Sequence, residues 1–388
     1  SDARGGIDPV RRRLLAGGGL KPTLPDRLEA LVPALAPPYA LCGVGLAVGA
    51  AVPQYYIANA PGISATPNTL FRAASISKIV TARTLDRVAQ SAGLGAEFLN
   101  DDIGSHLGFR LSNPHWPDRP ITIGQVASHS SGLCDDAGYS LPAGQPIAEW
   151  FEEVGSGCFL AHPPGTFFTY ANLGYLLLAA VCEAIGAEPF DILARQQVLY
   201  PLGIEGGFNW SGVPAPRRED RLATYRQDNG ALVPQIDSAV AREGISDPEG
   251  NPALSAPYQL HLDVTQLSPQ GGMRLSLQGA LALARSLANE PAQRLWTPSM
   301  GPGDYSNGIF ESYGMGLQIL DNPAFYPRPL IGHFGNAYGF LGGVWYDRER
   351  NAGFAYALNG APIDAPDDSL MAEEHALFTA IGAHIDKG

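Results

Sequence analysis

The sequence predicts an α/β chain of the α+β kind: an antiparallel sheet flanked by helices, with a mostly helical lobe inserted into it. Three observations predict this. Apolar, strand-like runs lie near the start, at Tyr39 to Val52 and Gln54 to Ala58. Three more lie near the end, at Leu330 to Asn336, Gly342 to Tyr346 and Gly353 to Leu358, and a helical stretch from about Leu370 to Ile385 follows them. Between the two groups the chain is helical and rich in turns. The expected division is residues 1–74 and 262–388 for the sheet part and 75–261 for the lobe and its cleft-lining loops, with the functional site between them.

A chain of 388 residues is one large domain or two intertwined ones, with ample length to bury a core. A formal net charge of −13 argues against a nucleic-acid binder, which needs a basic face. No apolar run approaches the roughly 20 residues of a membrane helix. Cys42, Cys134, Cys158 and Cys182 make no C-x-x-C pair, which argues against a zinc or redox site. Cys42 and Cys182 sit in apolar runs and read as small core residues. Cys134 and Cys158 lie in loop-like sequence, and a disulfide between them is compatible with an oxidising compartment. The polar opening, Ser1 to Arg13, is compatible with a mature N-terminus left after leader cleavage.

In chain order, Leu24 to Leu35 reads as an amphipathic helix, and the two runs after it as a strand pair. Within the first run, Gly43-Val44-Gly45-Leu46-Ala47-Val48-Gly49 has the wrong spacing for a dinucleotide-binding turn, and no helix follows before Pro53. Residues 76–80 open a helix-like run. Asn100 to Pro120 is polar and Pro-rich. Ile121 to Leu133 reads as a short helix ending at Gly132, with His129 tying down a loop. Pro163 to Asn172 makes a turn that delivers Tyr170 and Asn172 to the mouth of an apolar helix, Leu173 to Ile185. Alternate spacing in an extended segment points both side chains the same way. Asn172 also suits a helix N-cap. Asp228-Asn229-Gly230 marks a hairpin between Leu222–Tyr225 and Ala231–Val233. Residues 205–270 as a whole read as a surface lobe forming a cleft wall. His261 lies there and is a candidate cleft-lining residue, a plain surface role being the alternative. Gly271 to Ser276 leads into a helix from Leu277 to Leu287. Asp347 to Asn351 is the turn between the last two strands.

The chemistry gathers at Phe71-Arg72-Ala73-Ala74-Ser75-Ile76-Ser77-Lys78-Ile79-Val80. Residues three apart on a helix share a face, so Ser75 and Lys78 come within hydrogen-bond reach. A serine hydroxyl is a poor nucleophile until a neighbour takes its proton. A lysine in apolar surroundings can lose its charge and do so, which arginine cannot. The chain has only three lysines, Lys21, Lys78 and Lys387, and Lys78 alone is embedded in an apolar run.

Taken together these pieces resemble the serine β-lactamase and penicillin-binding-protein superfamily, in the branch of class C β-lactamases, DD-carboxypeptidases, D-aminopeptidases and related esterases (peptidase S12-like). Three blocks carry the match in order. They are Ser75-Ile76-Ser77-Lys78 as S-x-x-K, Tyr170-Ala171-Asn172 as Y-x-N, and His333-Phe334-Gly335 in place of K-T-G. His129 to Leu133, Pro163 to Tyr175, Tyr200 to Gly203 and Gly271 to Ser276 also look like the family. The resemblance covers roughly residues 24–385. It implies a β-lactamase/transpeptidase-like fold and an acyl-enzyme on Ser75. Lys78 and Tyr170 would share the general-base role, with the ammonium lowering the tyrosine's pKa. The N–H groups of Ser75 and Asn336 would form the oxyanion hole, and Asn172 would hold the substrate amide or Lys78. His333 joins Ser75, Lys78 and Tyr170 as a catalytic candidate. Asn172, Phe334, Gly335, Asn336 and His261 are the substrate-binding candidates. No cofactor and no metal are required. The partners are a small-molecule or peptide substrate, with no nucleic acid; family habit implies export to the periplasm or beyond, a cytoplasmic location being the alternative.

The third block departs from the family. His333 stands where Lys is usual and Phe334 where a hydroxyl residue is usual, so the carboxylate clamp is poor. This favours a serine hydrolase acting on a non-β-lactam amide, peptide or ester. The alternatives are a β-lactamase or DD-carboxypeptidase with a modified third motif, and an inactive penicillin-binding-like sensor or scaffold. There is no G-x-S-x-G elbow for an α/β-hydrolase.

Overall fold

The computed structural model describes residues 27–235 and 258–387, apart from residues 37, 143, 211, 292, 363 and 367. The strands followed there are β1 (Leu41–Val48), β2 (Gln54–Asn59), β3 (Leu70–Arg72), β4 (Gly207–Phe208), β5 (Thr224–Asp228), β6 (Ala231–Gln235), β7 (Met273–Ser276), β8 (Ser312–Tyr313), β9 (Gln318–Leu320), β10 (Leu330–Ala337), β11 (Phe340–Asp347), β12 (Ala352–Asn359) and β13 (Ala361–Pro362). The main sheet is antiparallel and seven-stranded, in the order β2-β1-β12-β11-β10-β9-β8. Two three-stranded sheets, β3-β7-β4 and β13-β5-β6, stand beside it.

Alternation along the central strands sorts their side chains between two cores. Phe354, Tyr356 and Leu358 of β12, with Cys42, Val44 and Leu46 of β1, pack against the terminal helices α1 (Leu28–Leu35) and, at the far end of the chain, Ala372–Lys387. The other face meets the helix Leu277–Ser286. Gly43 and Gly45 explain that second contact. A Cβ at either would stand 3.2 and 3.5 Å from Leu277, so the glycines let the helix sit close on the strand. The Gly-rich run rejected as a dinucleotide turn is thus a helix seat.

The remaining helices used below are α2 (Ser77–Ser91), α3 (Ile123–Ala127) and α4 (Leu173–Gly186). α4 is buried along almost its whole length, and α2 lies against it. One apolar cluster runs from Val344 and Ala355 in the sheet through Val80 in α2 to Leu177 in α4. Mixed helix and antiparallel sheet is the fold class expected from the sequence.

Several boundaries differ from expectation. The first helix begins at Leu28 in the described chain; residues 24–26 lie outside it, as do Ser1 to Arg13 and 236–257 of the expected surface lobe. The helix expected over 121–133 closes at Ala127. Thr122 and Gln125 form a capping box at its start, but His129 turns left-handed at φ +60° and Gly132 at +83°. The 224–235 hairpin has a two-residue turn, Asn229-Gly230, with both φ positive, because β5 extends through Asp228. Of the expected cleft wall, Ser268 and Gln270 reach the cavity at Ser75; the β5–β6 hairpin instead joins β13, and Tyr225 N–H donates to Asn359 Oδ1.

Candidate active site

Ser75 sits on a single 3-10 turn, Ala74–Ile76, directly before α2. Buried Ala74 is held at φ +48°, a conformation that costs a non-glycine residue about 1–2 kcal/mol. Ser77 pins the turn: its hydroxyl donates to Ala74 O at 2.6 Å and accepts from Met273 N–H at 3.0 Å. The turn is thereby fastened to β7.

One turn on, Lys78 is fully buried. Its Nζ lies 2.7 Å from Asn172 Oδ1, 2.9 Å from Gln270 O and 3.1 Å from Ser75 Oγ. Burial pushes the amine down to about 7, and the Asp135 carboxylate pulls it part of the way back. A neutral amine has two hydrogens and one lone pair. Two of its neighbours are carbonyl oxygens that only accept. The third is the Ser75 hydroxyl, which can donate. The arrangement presents the lone pair to Ser75.

Tyr170 is hydrogen-bonded to Ser75, and its ring is held between His129 (centroids 4.3 Å apart) and Phe310 (4.7 Å). Lys78 Nζ lies 4.7 Å from the ring centroid. The expected lowering of the Tyr170 pKa is corrected here. Burial raises it well above the ordinary phenol value, and the bond to Ser75 offsets this only in part. His129 ties the loop down as expected: its Nδ1 accepts from Ala171 N–H at 3.1 Å, and its carbonyl accepts from Thr169 N–H at 2.9 Å.

His333 lies beneath the cavity, 1 % exposed. Its Nδ1 lies 2.5 Å from Phe334 O and its Nε2 2.6 Å from the Tyr313 hydroxyl. Burial, with Lys78 beside it, lowers the imidazole to about 3, so it is neutral. A backbone carbonyl oxygen only accepts, so Nδ1 donates to Phe334 O and Tyr313 donates to Nε2. With both nitrogens committed, His333 is a support and not a clamp. Phe334 borders the cavity, but its ring packs on Trp345 and Phe378 in the core behind the sheet. A Cβ at Gly335 would stand 2.8 Å from Ala73 O, so the glycine lets β10 approach the Ser75 turn.

Asn336 follows from the sheet register. β10 and β11 are joined by Tyr338-Gly339, both at positive φ, and Ala337 pairs with Phe340. Closing pairs of two-residue hairpins are hydrogen-bonded, and pairs alternate from there. Asn336 opposite Leu341 is therefore a non-hydrogen-bonded pair, and its N–H points away from β11. β9 pairs only with Leu330–Gly332, so that edge opens on the cavity. The Asn336 side chain is turned aside and donates to Pro366 O at 3.2 Å.

Ser75, Tyr170, Asn172, His333, Phe334, Gly335 and Asn336 border one cavity of about 450 Å³. Among the described residues no Lys or Arg borders it, whereas Asp304, Asp368 and Glu374 do. A second cavity of about 420 Å³ adjoins at Ser75, Asn172 and Asn336 and includes Arg72. The Arg72 guanidinium stacks on Tyr338 at 4.5 Å, and its Nε donates to Gly271 O. His261 is not brought to either cavity. Its N–H donates to Glu183 Oε2 at 2.7 Å, far along α4 from Asn172, and its side chain is 45 % exposed. Sequence reasoning missed Ser77, which fills an unspecified position of the S-x-x-K block, and Asp135, Gln270 and Tyr313, which stand in none of the three blocks. Among the described residues no group of His, Cys, Asp and Glu has the makings of a metal site. Cys134 and Cys158 oppose each other across the Leu133–Phe159 bridge with free thiols.

The sequence model of the Beta-lactamase family matches residues 44–376, and the chain belongs to that family. Family membership supports a hydrolase in the general sense. It is 26 % identical over 149 residues to penicillin-binding protein 4 of Amycolatopsis lactamdurans; that match spans 37 % of each chain. It is 23 % identical over 290 residues to the D-alanyl-D-alanine-carboxypeptidase/endopeptidase AmpH of Escherichia coli, covering 71 % of this chain and 72 % of the relative. The D-amino acid amidase of Ochrobactrum anthropi SV3, complexed with L-phenylalanine, shares the fold with a TM-score of 0.66 at 16 % identity, over 93 % of this chain and 98 % of that one. A β-lactamase/D-alanine carboxypeptidase of Yersinia pestis does so with a TM-score of 0.62 at 16 % identity, over 91 % and 98 %.

Proposed function

We propose that the protein hydrolyses a small amide, peptide or ester that is not a β-lactam, through an acyl-enzyme on Ser75, in a cleft between the sheet part (1–74 and 262–388) and the helical lobe (75–261). The observation that carries this reading is the third position around Lys78 Nζ. It holds a hydroxyl that can donate, while two carbonyls take the amine hydrogens. Ser75 Oγ would pass its proton to Nζ and attack the substrate carbonyl carbon. The oxygen of the tetrahedral intermediate would sit between the N–H groups of Ser75 and Asn336. Tyr170, held protonated by its buried setting, would give a proton to the leaving nitrogen or oxygen and recover it from the Lys78 ammonium. Water would then release the acyl group. Asn172 would hold Lys78 with its oxygen and meet the substrate with its remaining N–H. His333 would support Tyr313 and the cavity floor.

Among the described residues the cavity, with Asp304, Asp368 and a neutral His333, offers no cation to a substrate carboxylate, which favours amides such as those named for the amidase neighbour. Arg72 in the adjoining cavity favours a second reading, a DD-carboxypeptidase or β-lactamase whose carboxylate binds on that side. Among the described residues no helix is long and apolar enough to cross a membrane; a periplasmic or secreted location is part of the proposal on the strength of the relatives.

The test is intact mass after incubation with a fluorophosphonate and, in parallel, with benzylpenicillin. Fluorophosphonate labelling that disappears in Ser75→Ala, without a penicillin adduct or penicillin turnover, is the expected result. A penicillin adduct on Ser75 moves the assignment to the second reading. No labelling of a folded wild type overturns both.

A further inference from the structure

Asn172 stands at the N-terminal mouth of α4, yet its side chain does not cap that helix. The cap comes from a loop 37 residues upstream. Asp135 Oδ2 accepts from Asn172 N–H at 2.8 Å and from Asn172 Nδ2 at 2.9 Å, and Asp135 Oδ1 accepts from Leu173 N–H at 3.0 Å. A carboxylate at a helix N-terminus satisfies orphan donors and complements the helix dipole. It also does something more specific here. A carboxylate only accepts, so it turns the NH₂ of Asn172 toward itself and leaves Oδ1 facing Lys78 Nζ at 2.7 Å.

We propose that Asp135 is a positioning residue for the Ser75–Lys78 pair: by capping α4 and orienting the Asn172 amide, it sets the contact that holds Lys78 Nζ against Ser75. This rests on reading Ser75 as nucleophile and Lys78 as base. The geometry forms one line, Asp135 to Asn172 to Lys78 to Ser75, in which every polar atom has a single sensible role. Among the described residues the ionisable groups that face Lys78 are Asp135 from the loop before α4, Tyr170 from the segment before α4, Tyr175 from α4 (5.3 Å from Nζ to the ring centroid), His129 from the loop after α3, and His333 from β10. Asp135 is the carboxylate among them, and it favours the ammonium.

Two measurements test this on the full chain. The sequence has three lysines, so lysine labelled with ¹³C at Cε yields an NMR titration with few signals, and Lys78→Met assigns the third. The rate of fluorophosphonate labelling at Ser75 against pH needs no known substrate. In Asp135→Asn, the Lys78 midpoint is expected to move to lower pH, and labelling on the alkaline plateau to slow at least tenfold. Asp135→Glu keeps the charge and should hold the midpoint near that of wild type while labelling stays slow, because the longer side chain misplaces Asn172. An unmoved midpoint in Asp135→Asn overturns the proposal, whether labelling is slowed or not, since loss of support alone would slow labelling and leave the midpoint. If Asp135→Asn does not fold, Asp135→Glu decides: wild-type labelling at an unmoved midpoint overturns the proposal. Failure of the wild type to label counts against Ser75 as nucleophile, while the NMR midpoints still decide the role of Asp135.

Discussion

Lowering the pH should switch Ser75 off at the point where Lys78 takes a proton. Burial moves the amine from an ordinary 10.5 to about 7. At 1.36 kcal/mol per unit, that is about 5 kcal/mol of preference for the neutral form. At pH 7 roughly half of the molecules have a free lone pair facing Ser75, against about 3 in 10,000 for an unperturbed lysine. The neutral fraction falls to about 1 % at pH 5, so reactivity of Ser75 should drop about 50-fold between pH 7 and 5 and level off above about 8. The same shift has a consequence for stability. The unfolded chain holds its proton up to 10.5 and the folded chain only to about 7, so between those values the unfolded state binds more protons. Stability from this group therefore rises with pH across that window, at up to about 1.4 kcal/mol per unit. Below pH 7 the cost is complete and constant. Lys78→Met carries no such cost. Its stability relative to wild type should be greatest below pH 7, and the gap should close as pH rises toward 10. The assays are fluorophosphonate labelling rates from pH 5 to 9 and urea unfolding of both proteins over the same range and beyond. A labelling midpoint above 9, or a stability difference that does not change between pH 7 and 10, would refute the argument.

Two further outcomes follow from the site. Tyr170→Phe keeps the ring between His129 and Phe310 but removes the acid, so labelling or hydrolysis should fall 10²- to 10⁴-fold with little change in thermal midpoint; activity within threefold of wild type would exclude a proton-transfer role. His333→Ala leaves a buried hole and takes one of its two hydrogen-bond partners from the Tyr313 hydroxyl, Tyr175 being the other, so urea unfolding should show a loss of about 2–4 kcal/mol. A loss under 1 kcal/mol would mean that His333 is not the support described.

The main elements were legible because their signals are local. The apolar runs at Gly353–Leu358 and Tyr39–Val52 announced strands; the structure extends the first by one residue at each end, to Ala352–Asn359, and trims the second to Leu41–Val48. The long helix after Asn172 was equally plain, since the ten residues from Leu173 to Cys182 are all apolar or small and such a run has few other uses. The S-x-x-K spacing likewise put Ser75 and Lys78 together, because one helical turn fixes their separation whatever surrounds them.

What the local signal could not carry was environment. The direction of the Tyr170 shift depends on desolvation by His129 and Phe310, which arrive from distant parts of the chain. His333 looked like a candidate at the cavity surface; the register of β10 and the Tyr313 hydroxyl on β8 turn it into a buried support. His261 was placed in a cleft wall on position alone, and Glu183 holds it elsewhere. Asp135 carried no signal at all, because its importance lies in three hydrogen bonds to residues 37 and 38 positions later. The sequence by itself determined which groups could do the chemistry, since covalent spacing and side-chain type are written in it. Only the tertiary structure decided their protonation, because charge states answer to burial and to neighbours that no local pattern names.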